Sequence, residues 1–353
     1  MSSHRRPCPT AHHRPTSSAT LPRSACDRRL VLVVSPGCDG KRDAVVNDDA
    51  ANLYPADVVT PPPRLRVGVI GSGRVGAVLG AALRRTGHHI VGCSARTDLS
   101  RVRAEALLPG TPILPAEQVA DECDLLLLAV PDDRLAQVVA ELVGHVRPGQ
   151  IVMHVSGHHG LEVLAPFAGA LPIAAHPVMT FTGTSLDLDR LEDCPFGVTA
   201  PDPVRPIAEA LVVEMGGDPV WVEEGARTTY HAALAHGANH LVTLVAQTLD
   251  LLAAAGVQDP SRLARPLLTA ALDNALREGD TALTGPVARG DVATVRAHLT
   301  DLVDADSGTR EAYLVLARVT LDRALASGML TASAAEPISA LLVDAEAGLG
   351  GRS

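Results

Sequence analysis

The sequence predicts an α/β protein with a doubly wound, mainly parallel sheet, followed by an all-α C-terminal domain. The apolar run over residues 65–70 ends in a glycine-rich turn and leads into a helix-forming segment. Strand and helix patterns then alternate as far as residue 223, as they do in parallel sheets whose crossovers are helices. From about Gly225 the strand patterns stop and long apolar helical patterns follow.

The glycine-rich turn has the spacing G-x-G-x-x-G. Between a strand and a helix this spacing indicates a Rossmann-type dinucleotide site, because it allows a tight turn, close approach of a pyrophosphate and close helix packing. The helix N-terminus would offer its free N–H groups to the phosphates. The predicted cofactor-binding residues of the turn are Gly71, Ser72, Gly73, Arg74, Val75 and Gly76. An unliganded glycine turn is the alternative.

The other elements follow from apolar patterning and turn residues. Strands are predicted at residues 89–93, 111–114, 124–130, 150–155, 171–175, 196–200 and 218–222. Helices are predicted at residues 77–83, 99–107, 135–143, 161–167, 204–215, 228–254, 261–278, 292–303 and 309–326. Asp132 or Asp133 is expected to cap the third of these helices, Gly237 to interrupt the sixth, and the last dozen residues to fray.

Three regions follow from this order. Residues 1–63 lack apolar periodicity and end in a proline run, so we expect a disordered extension, or a start site placed too early. Residues 64–223 are expected to form an NADP-binding Rossmann-like domain. Residues 224–345 are expected to form a separate helical domain that contributes to substrate binding.

Composition excludes several classes of function. A net charge of −10 gives no electrostatic support for nucleic-acid binding. No apolar run approaches the roughly 20 residues of a membrane span. The six cysteines include no C-x-x-C pair, which favours reduced thiols in a cytoplasmic protein.

The end of the second predicted strand determines the cofactor preference. An NAD site usually has an acid there to bind the ribose 2′-OH. Here Ser94 can donate a hydrogen bond and Arg96 can pair with a 2′-phosphate, which favours NADP. A strand that ended later would instead make Asp98 the ribose ligand, and a solvated surface charge is the alternative role of Arg96.

Two strand ends are expected to contribute to the cleft. Val130 and Pro131 follow the most apolar strand, and we expect them to wall the nicotinamide, or else to form an ordinary loop. Ser156 and Gly157 follow the next strand and are expected to line the cofactor or the substrate. Three histidines close by suggest a metal site, but no carboxylate or cysteine lies at ligand spacing, so we expect no metal.

His176 lies at the carboxyl end of a further predicted strand, where ligands bind in open α/β sheets. Its side chain is therefore expected to be catalytic or to contact the substrate, with a buried structural role as the alternative. On the long helix His231 and Asn239 share one face. A buried Asn and a buried His need partners, which would be a ligand or, alternatively, helix crossings.

The loop over residues 283–291 is dense in turn-forming and hydrogen-bonding residues. Thr284 and Gly285 are expected to contact the substrate, and Arg289 to hold its carboxylate. Asp291 is expected to contact the substrate too, or instead to cap the next helix with Arg289 as its ion-pair partner.

These motifs together resemble a family. The glycine motif, the His176 segment, the helix with His231 and Asn239, and the nonapeptide over 283–291 occur in one chain. Over residues 64–340 the chain resembles bacterial oxidoreductases that join a Rossmann-like domain to a C-terminal helical domain of unknown function. The wider group is similar to the 6-phosphogluconate dehydrogenase-like superfamily, which includes ketopantoate and pyrroline-5-carboxylate reductases and prephenate dehydrogenases.

The sequence departs from ordinary ketopantoate reductases at one position. Those enzymes resemble the hydroxyacid dehydrogenases in placing a catalytic Lys one helical turn before an Asn. Here Asn239 is present, but the position one turn earlier is Ala235, and Lys41 is the only lysine of the chain. We therefore expect a histidine to exchange the proton, and favour His176 over His231.

The resulting expectation is an NADP(H)-dependent oxidoreductase that transfers a hydride between nicotinamide and a small 2-oxo or 2-hydroxy acid. The resemblance implies ketopantoate as a candidate substrate, with Asn239 on the reacting oxygen. A prephenate dehydrogenase-like enzyme and a non-catalytic NADP(H)-binding sensor or scaffold are the alternatives. Helical domains of the resembled superfamily often dimerise, which implies a homodimer through the helical domain, in which Arg289 can serve the neighbouring subunit.

Overall fold

The computed structural model describes residues 64–350. The predicted disordered extension over residues 1–63 lies outside the described residues. Among residues 64–350, no helix combines the length and the apolar character needed to cross a membrane.

A seven-stranded sheet forms the first part of the described chain, in the order β2-β1-β3-β4-β5-β6-β7. The strands are β1 (Arg66–Ile70), β2 (His89–Ser94), β3 (Leu125–Leu128), β4 (Ile151–His154), β5 (Leu171–Pro177), β6 (Pro195–Thr199) and β7 (Asp218–Trp221). Strands β1 to β5 run parallel, whereas β6 pairs antiparallel with β5 and β7 parallel with β6. The predicted doubly wound, mainly parallel sheet is confirmed. The predicted strand over 111–114 is reduced to a single bridge between Cys93 and Ile113.

Helices cover both faces of this sheet. They are α1 (Arg74–Arg85), α2 (Asp98–Leu107), α3 (Ala116–Glu122), α4 (Asp132–Leu142), α5 (Leu186–Arg190) and α6 (Arg205–Glu214). Along β3, Leu125 and Leu127 pack with α1, α2 and α6, while Leu126 and Leu128 pack with α3 and α4. All four leucines are buried because this central strand has a helical layer on each side.

Three local predictions are wrong in this part. Helix α3 was not predicted, because seven residues are too few to show a clear helical period. Residues 161–167 form only a short 3₁₀ helix, Leu161–Leu164. Asp132 and Asp133 do not cap α4; they lie in its first turn, where carboxylates still favour the helix dipole, and Pro131 occupies the cap position.

The rest of the described chain is helical, as predicted. It comprises α7 (Arg227–Ala254), α8 (Pro260–Glu278), α9 (Val292–Asp301), α10 (Ser307–Ala326) and α11 (Ala332–Gly350). Helix α7 continues through Gly237 without the predicted interruption. Of the last dozen residues, which were predicted to fray, 342–350 continue α11 and bury Leu342, while 351–353 lie outside the described residues.

Helices α7 and α8 differ from the others in their exposure. Of the 28 residues of α7 only Arg227 is buried, and of the 19 residues of α8 only Ala264 is buried. Large apolar side chains on these two helices are exposed: Leu241, Val242, Leu244, Leu251, Leu263, Leu267, Leu272 and Leu276.

Candidate active site

The turn after β1 has the geometry that its three glycines predict. Gly71 has φ +94°, a backbone conformation that side chains disfavour. A Cβ at Gly76 would collide with the backbone oxygen of Gly71 and lie 2.8 Å from Ala129 Cβ, so this glycine allows α1 to pack closely. A Cβ at Gly73 would meet nothing within 4 Å. Gly73 therefore faces open space, and packing within the described chain does not require a glycine there.

This turn fits the phosphates of a dinucleotide. No side chain caps α1, so the N–H groups of Arg74, Val75 and Gly76 have no partner of that kind. The hydroxyl of Ser72 beside them is buried without a hydrogen-bond partner. Unbonded N–H groups, a positive helix end and open space at Gly73 together form a site for an anion.

Strand β2 ends at Ser94, so the position of the usual ribose acid holds no carboxylate. The Ser94 hydroxyl accepts a hydrogen bond of 3.0 Å from the Gly71 N–H, which leaves its proton free to donate. Arg96 is exposed beyond the strand. Asp98 is the first residue of α2 and does not extend the strand, so the alternative in which it binds the ribose is not supported.

The end of β3 lies beside the same turn. A Cβ at Gly71 would be 3.1 Å from Val130 Cγ1, and Pro131 follows at the start of α4. Because β1 and β3 are parallel neighbours, their carboxyl ends share one edge of the sheet. Val130 and Pro131 therefore lie where the predicted nicotinamide wall requires them.

The loop after β4 is held by internal hydrogen bonds. The buried His154 ring interacts with the Gly160 oxygen at 3.0 Å and accepts from the Ser156 N–H at 3.2 Å. Burial lowers the pKa of His154 to about 4. Ser156 is also buried, and its hydroxyl accepts from the His159 N–H at 3.0 Å. The predicted substrate contact of Ser156 is thus not supported, because its side chain shapes the loop.

His176, at the end of β5, is half-buried at the same edge of the sheet. Its Nδ1 lies 2.9 Å from the hydroxyl of Tyr230, in the first turn of α7. Burial, then His231 and Arg227, lower the pKa of His176 to about 4, so the ring is neutral at neutral pH. A neutral ring can donate a hydrogen bond but is a poor source of a proton. The expectation that His176 is the preferred proton donor is therefore not supported.

The structure brings both His231 and Gly157 to the His176 ring. The rings of His176 and His231 lie edge to face, with their centroids 5.9 Å apart. A Cβ at Gly157 would be 2.6 Å from His231 Cδ2 and 3.1 Å from His176 Nε2, so a glycine is required there. The exposed His158 ring lies 6.4 Å from that of His231. One oxygen atom can therefore lie within reach of both His176 and His231.

Sequence reasoning missed Arg227, which is only 1% exposed. Its guanidinium donates to the Ser156 oxygen at 2.6 Å, to the Thr199 hydroxyl at 3.0 Å and to the Gly197 oxygen at 3.4 Å. Its Nε has no partner, and no carboxylate among the described residues forms an ion pair with it. A buried positive charge thus lies beside the histidines with no carboxylate in ion-pair contact, while Glu224 and Asp132 act on it from farther away.

Gly197 and the role of Tyr230 were also missed. A Cβ at Gly197 would collide with the hydroxyl of Tyr230, so this glycine on β6 makes room for that side chain. The antiparallel pairing of β6 with β5 sets Gly197 directly opposite His176. No sequence signal identified this pairing; the adjacency of Tyr230 to His231 was the one available hint.

The prediction that Asn239 is buried beside His231 is wrong. Asn239 is exposed. It lies eight residues further along α7, about 12 Å along the axis, where the helix has passed beyond the cover of the sheet edge. Within one chain it is not part of the histidine cluster.

The loop over 283–291 lies elsewhere in the chain. Thr284 and Gly285 line a mainly apolar cavity of about 390 Å³ between α7 and α10, in which neither His176 nor His231 takes part. Asp291 caps α9, accepting from the Thr294 N–H at 3.1 Å and from its hydroxyl at 2.7 Å, and these bonds lower its pKa. Of the alternative role of Asp291 the helix cap is found, whereas no ion pair with Arg289 occurs among the described residues. Arg289 is exposed.

No group of three histidine, cysteine or carboxylate side chains within residues 64–350 is arranged to hold a metal ion. The bonds of His154 and His159 to backbone oxygens of Gly160 and Asp132 explain how two of the clustered histidines are used.

Comparisons with known proteins agree with this architecture. Residues 45–177 match a Rossmann-like domain, and residues 194–320 match a domain of unknown function, DUF2520. A D-apionate oxidoisomerase of Cupriavidus necator is 28% identical over 122 residues, which are 32% of this chain and 41% of that protein. The chain thus matches less than half of the length of this curated relative.

Two solved structures share the fold. A Bacteroides fragilis protein, provisionally assigned as an NADP oxidoreductase, superposes with a TM-score of 0.63 at 21% identity, covering 73% of this chain and 98% of its own. An imine reductase of Myxococcus stipitatus in complex with NADP⁺ gives 0.54 at 15% identity, covering 73% of this chain and 94% of its own. Together the two family matches show that this chain joins a Rossmann-like domain to a C-terminal DUF2520 domain.

Proposed function

We propose that this chain is an NADP(H)-dependent oxidoreductase that acts on a small carbonyl or hydroxyl compound. The observation that carries the proposal is that one edge of the sheet holds both an anion site and a histidine pair. The uncapped start of α1 at Gly73 follows β1, and His176 lies near the carboxyl end of β5, next to His231. In open α/β sheets ligands bind at this edge.

Residues of this chain would bind the cofactor, orient the substrate and exchange the proton. The turn from Gly71 to Gly76 would hold the pyrophosphate, and Arg96 would pair with a 2′-phosphate. The bound nicotinamide would supply or accept a hydride. His176 would donate a hydrogen bond to the reacting oxygen, and His231 would exchange its proton, since histidine is the side chain most often used for this step.

The buried charge of Arg227 supports an acid as the substrate. A positive charge in a site of low polarity attracts an anion and stabilises negative charge that develops on an oxygen. The partial relative is named for apionate, a carboxylate. We therefore propose a 2-oxo or 2-hydroxy acid, and ketopantoate is the first to test.

The test is NADPH oxidation with a panel of 2-oxo acids, together with titrations of NADPH and NADH. NADPH should bind more tightly. Arg96→Ala should weaken NADPH by about 1.5–3 kcal/mol, the scale of a charge-assisted hydrogen bond, and leave NADH nearly unchanged. Arg85→Ala is the matched control, because Arg85 lies at the C-terminal end of α1, away from the glycine-rich turn. Tight NADPH binding with no turnover on any carbonyl or hydroxyl substrate would favour a non-catalytic NADP(H)-binding protein.

A homodimer through the helical part is proposed with this function. Helices α7 and α8 expose seven leucines and a valine, and a second copy of the chain offers a matching apolar surface to cover them. It would also bring a partner's 283–291 loop toward ligands that this chain's loop does not reach. Light scattering should give twice the mass of one chain, and Leu267→Asp with Leu276→Asp should shift the protein toward monomer. A monomeric wild type would contradict this.

A further inference from the structure

Two tyrosine–histidine pairs occur in the described chain, and one of them lies in the candidate active site. The hydroxyl of Tyr230 is 2.9 Å from His176 Nδ1, and the two rings are perpendicular. In the other pair the hydroxyl of Tyr313 is 3.0 Å from His298 Nδ1, with the rings at 83°. The second pair lies in the helical part of the chain, with His298 on α9 and Tyr313 on α10.

Two glycines, Gly197 and Gly157, leave room for the side chains of Tyr230 and His176. Any side chain at Gly197 would displace the Tyr230 hydroxyl, and any side chain at Gly157 would press on the His176 ring at Nε2 and Cε1. The two glycines lie on different elements, one on β6 and one after β4. Residues on both sides of the ring therefore leave room for the Tyr230–His176 hydrogen bond.

The direction of this bond follows from hydrogen-bond accounting. Burial raises the pKa of Tyr230, so the phenol keeps its proton. Among the described bonds, the acceptor within reach of the phenol proton is His176 Nδ1, whereas the backbone N–H of Gly197 can only donate to the phenol oxygen. If Nδ1 carried the ring proton, the phenol proton would have no acceptor in a half-buried place, which is costly. The phenol therefore donates, and Nδ1 accepts.

The protonation of the other ring nitrogen of His176, Nε2, follows from this direction. A neutral imidazole carries one proton, and with Nδ1 as acceptor that proton is on Nε2. Nε2 lies on the side of Gly157 and His231, opposite the tyrosine. The donor N–H thus points to the side on which the proposed function requires the reacting oxygen.

We propose that Tyr230 is a positioning residue that holds His176 as its Nε2–H tautomer and so presents a fixed hydrogen-bond donor to the substrate oxygen. The loss of this bond would let the ring exchange tautomers. In the Nδ1–H form the unprotonated Nε2, a hydrogen-bond acceptor, would face the substrate oxygen, which gains negative charge during reduction. The orientation of His176 by Tyr230 is a property of the ligand-free protein. Only its effect on turnover rests on the proposed function.

The first test is the tautomer itself. Correlation spectra of ¹⁵N-labelled histidine rings distinguish protonated from unprotonated nitrogens, and His176→Gln identifies the His176 signals by removing them. We expect a protonated Nε2 and an unprotonated Nδ1 in the wild type at neutral pH. Tyr230→Phe should mix the two tautomers of His176. Tyr313→Phe should alter the signals of His298 and leave those of His176 unchanged.

The second test is kinetic. Tyr230→Phe should lower kcat by about 10-fold or more, the low end for loss of a group that orients a catalytic ring, with the Kd for NADPH unchanged. An Nδ1–H tautomer in the wild type would overturn the proposal whether or not Tyr230→Phe folds; so would an unchanged His176 spectrum in Tyr230→Phe. If no substrate is turned over while the spectra follow the expectation, the proposed function fails and the orientation of His176 stands.

Discussion

The guanidinium of Arg227 donates a hydrogen bond of 2.6 Å to the backbone oxygen of Ser156, 71 positions earlier in the chain. The same group donates a hydrogen bond to the Thr199 hydroxyl on β6, so one side chain joins the start of α7 to the loop after β4 and to β6. These contacts place Tyr230 and His231, both within one helical turn of Arg227, at the end of β5.

Arg227→Lys should therefore lower the free energy of unfolding by about 1–3 kcal/mol. Lysine keeps the charge, but its single ammonium does not reproduce the planar fork, so a buried acceptor loses its partner. Urea unfolding measures the change, with Arg262→Lys on the exposed face of α8 as the control. If both variants behave like the wild type, the hydrogen bonds of Arg227 do not contribute to stability.

Two glycines of the turn should respond in opposite ways to the same substitution. Gly73→Ala should change the free energy of unfolding by no more than about 1 kcal/mol, because the added Cβ meets only open space at the helix cap. It should weaken NADPH binding roughly 10-fold or more, because that space is where the pyrophosphate approaches. Gly76→Ala should cost about 2 kcal/mol or more in stability, because its Cβ would collide with Gly71.

Thermal unfolding and NADPH titration of both variants check this contrast. Tight NADPH binding by a folded Gly73→Ala variant would show that the turn does not hold the phosphates. A Gly76→Ala variant as stable as the wild type would mean that α1 can move away from β3.

Stability should fall in mild acid because of His154. Its pKa is lowered to about 4 in the folded protein, whereas an unfolded histidine titrates near its ordinary value. Between these values the unfolded state binds the extra proton, so stability is fully present above about pH 6.5 and falls as the pH drops toward 4. The loss from His154 between pH 7.5 and pH 5 is about 2 kcal/mol.

Urea unfolding at the two pH values measures this loss. His154→Gln should reduce the difference between them, while His89→Gln, at an exposed position, should leave it unchanged. An equal pH dependence in the wild type and in His154→Gln would assign the loss to other groups.

Local patterns predicted what depends on local geometry. The glycine turn, the end of β2 and the position of His176 each follow from a few consecutive residues, and each is found where the sequence indicated. The cap of α9 by Asp291 is local too, but the same residue types also suit a ligand contact, so the pattern left both roles open. The structure selects the cap because Thr294 takes both carboxylate oxygens.

Contacts between residues far apart in the chain could not be predicted from the sequence. Gly197 makes room for Tyr230 only because β6 turns antiparallel to β5, and nothing in the apolar pattern of β6 distinguishes its direction. Arg227 precedes an apolar helical pattern, and its burial was missed because it depends on contacts with Ser156 and Thr199, which are far away in the sequence. Asn239 was expected inside because the helical pattern shows which face a residue lies on but not where the cover of that face ends.

The last prediction separates the roles of the two histidines at the sheet edge. His231→Gln should lower kcat by roughly 100-fold with the Kd for NADPH unchanged, because an amide fills the same space but does not exchange a proton. His176→Gln keeps an N–H donor near the position of Nε2, so it should lose less activity than His176→Leu, which has no donor. His236→Gln, exposed five residues further along α7, is the matched control and should keep full turnover. Near-normal turnover in His231→Gln, with loss of turnover in both His176 variants, would show that His176 exchanges the proton in spite of its lowered pKa.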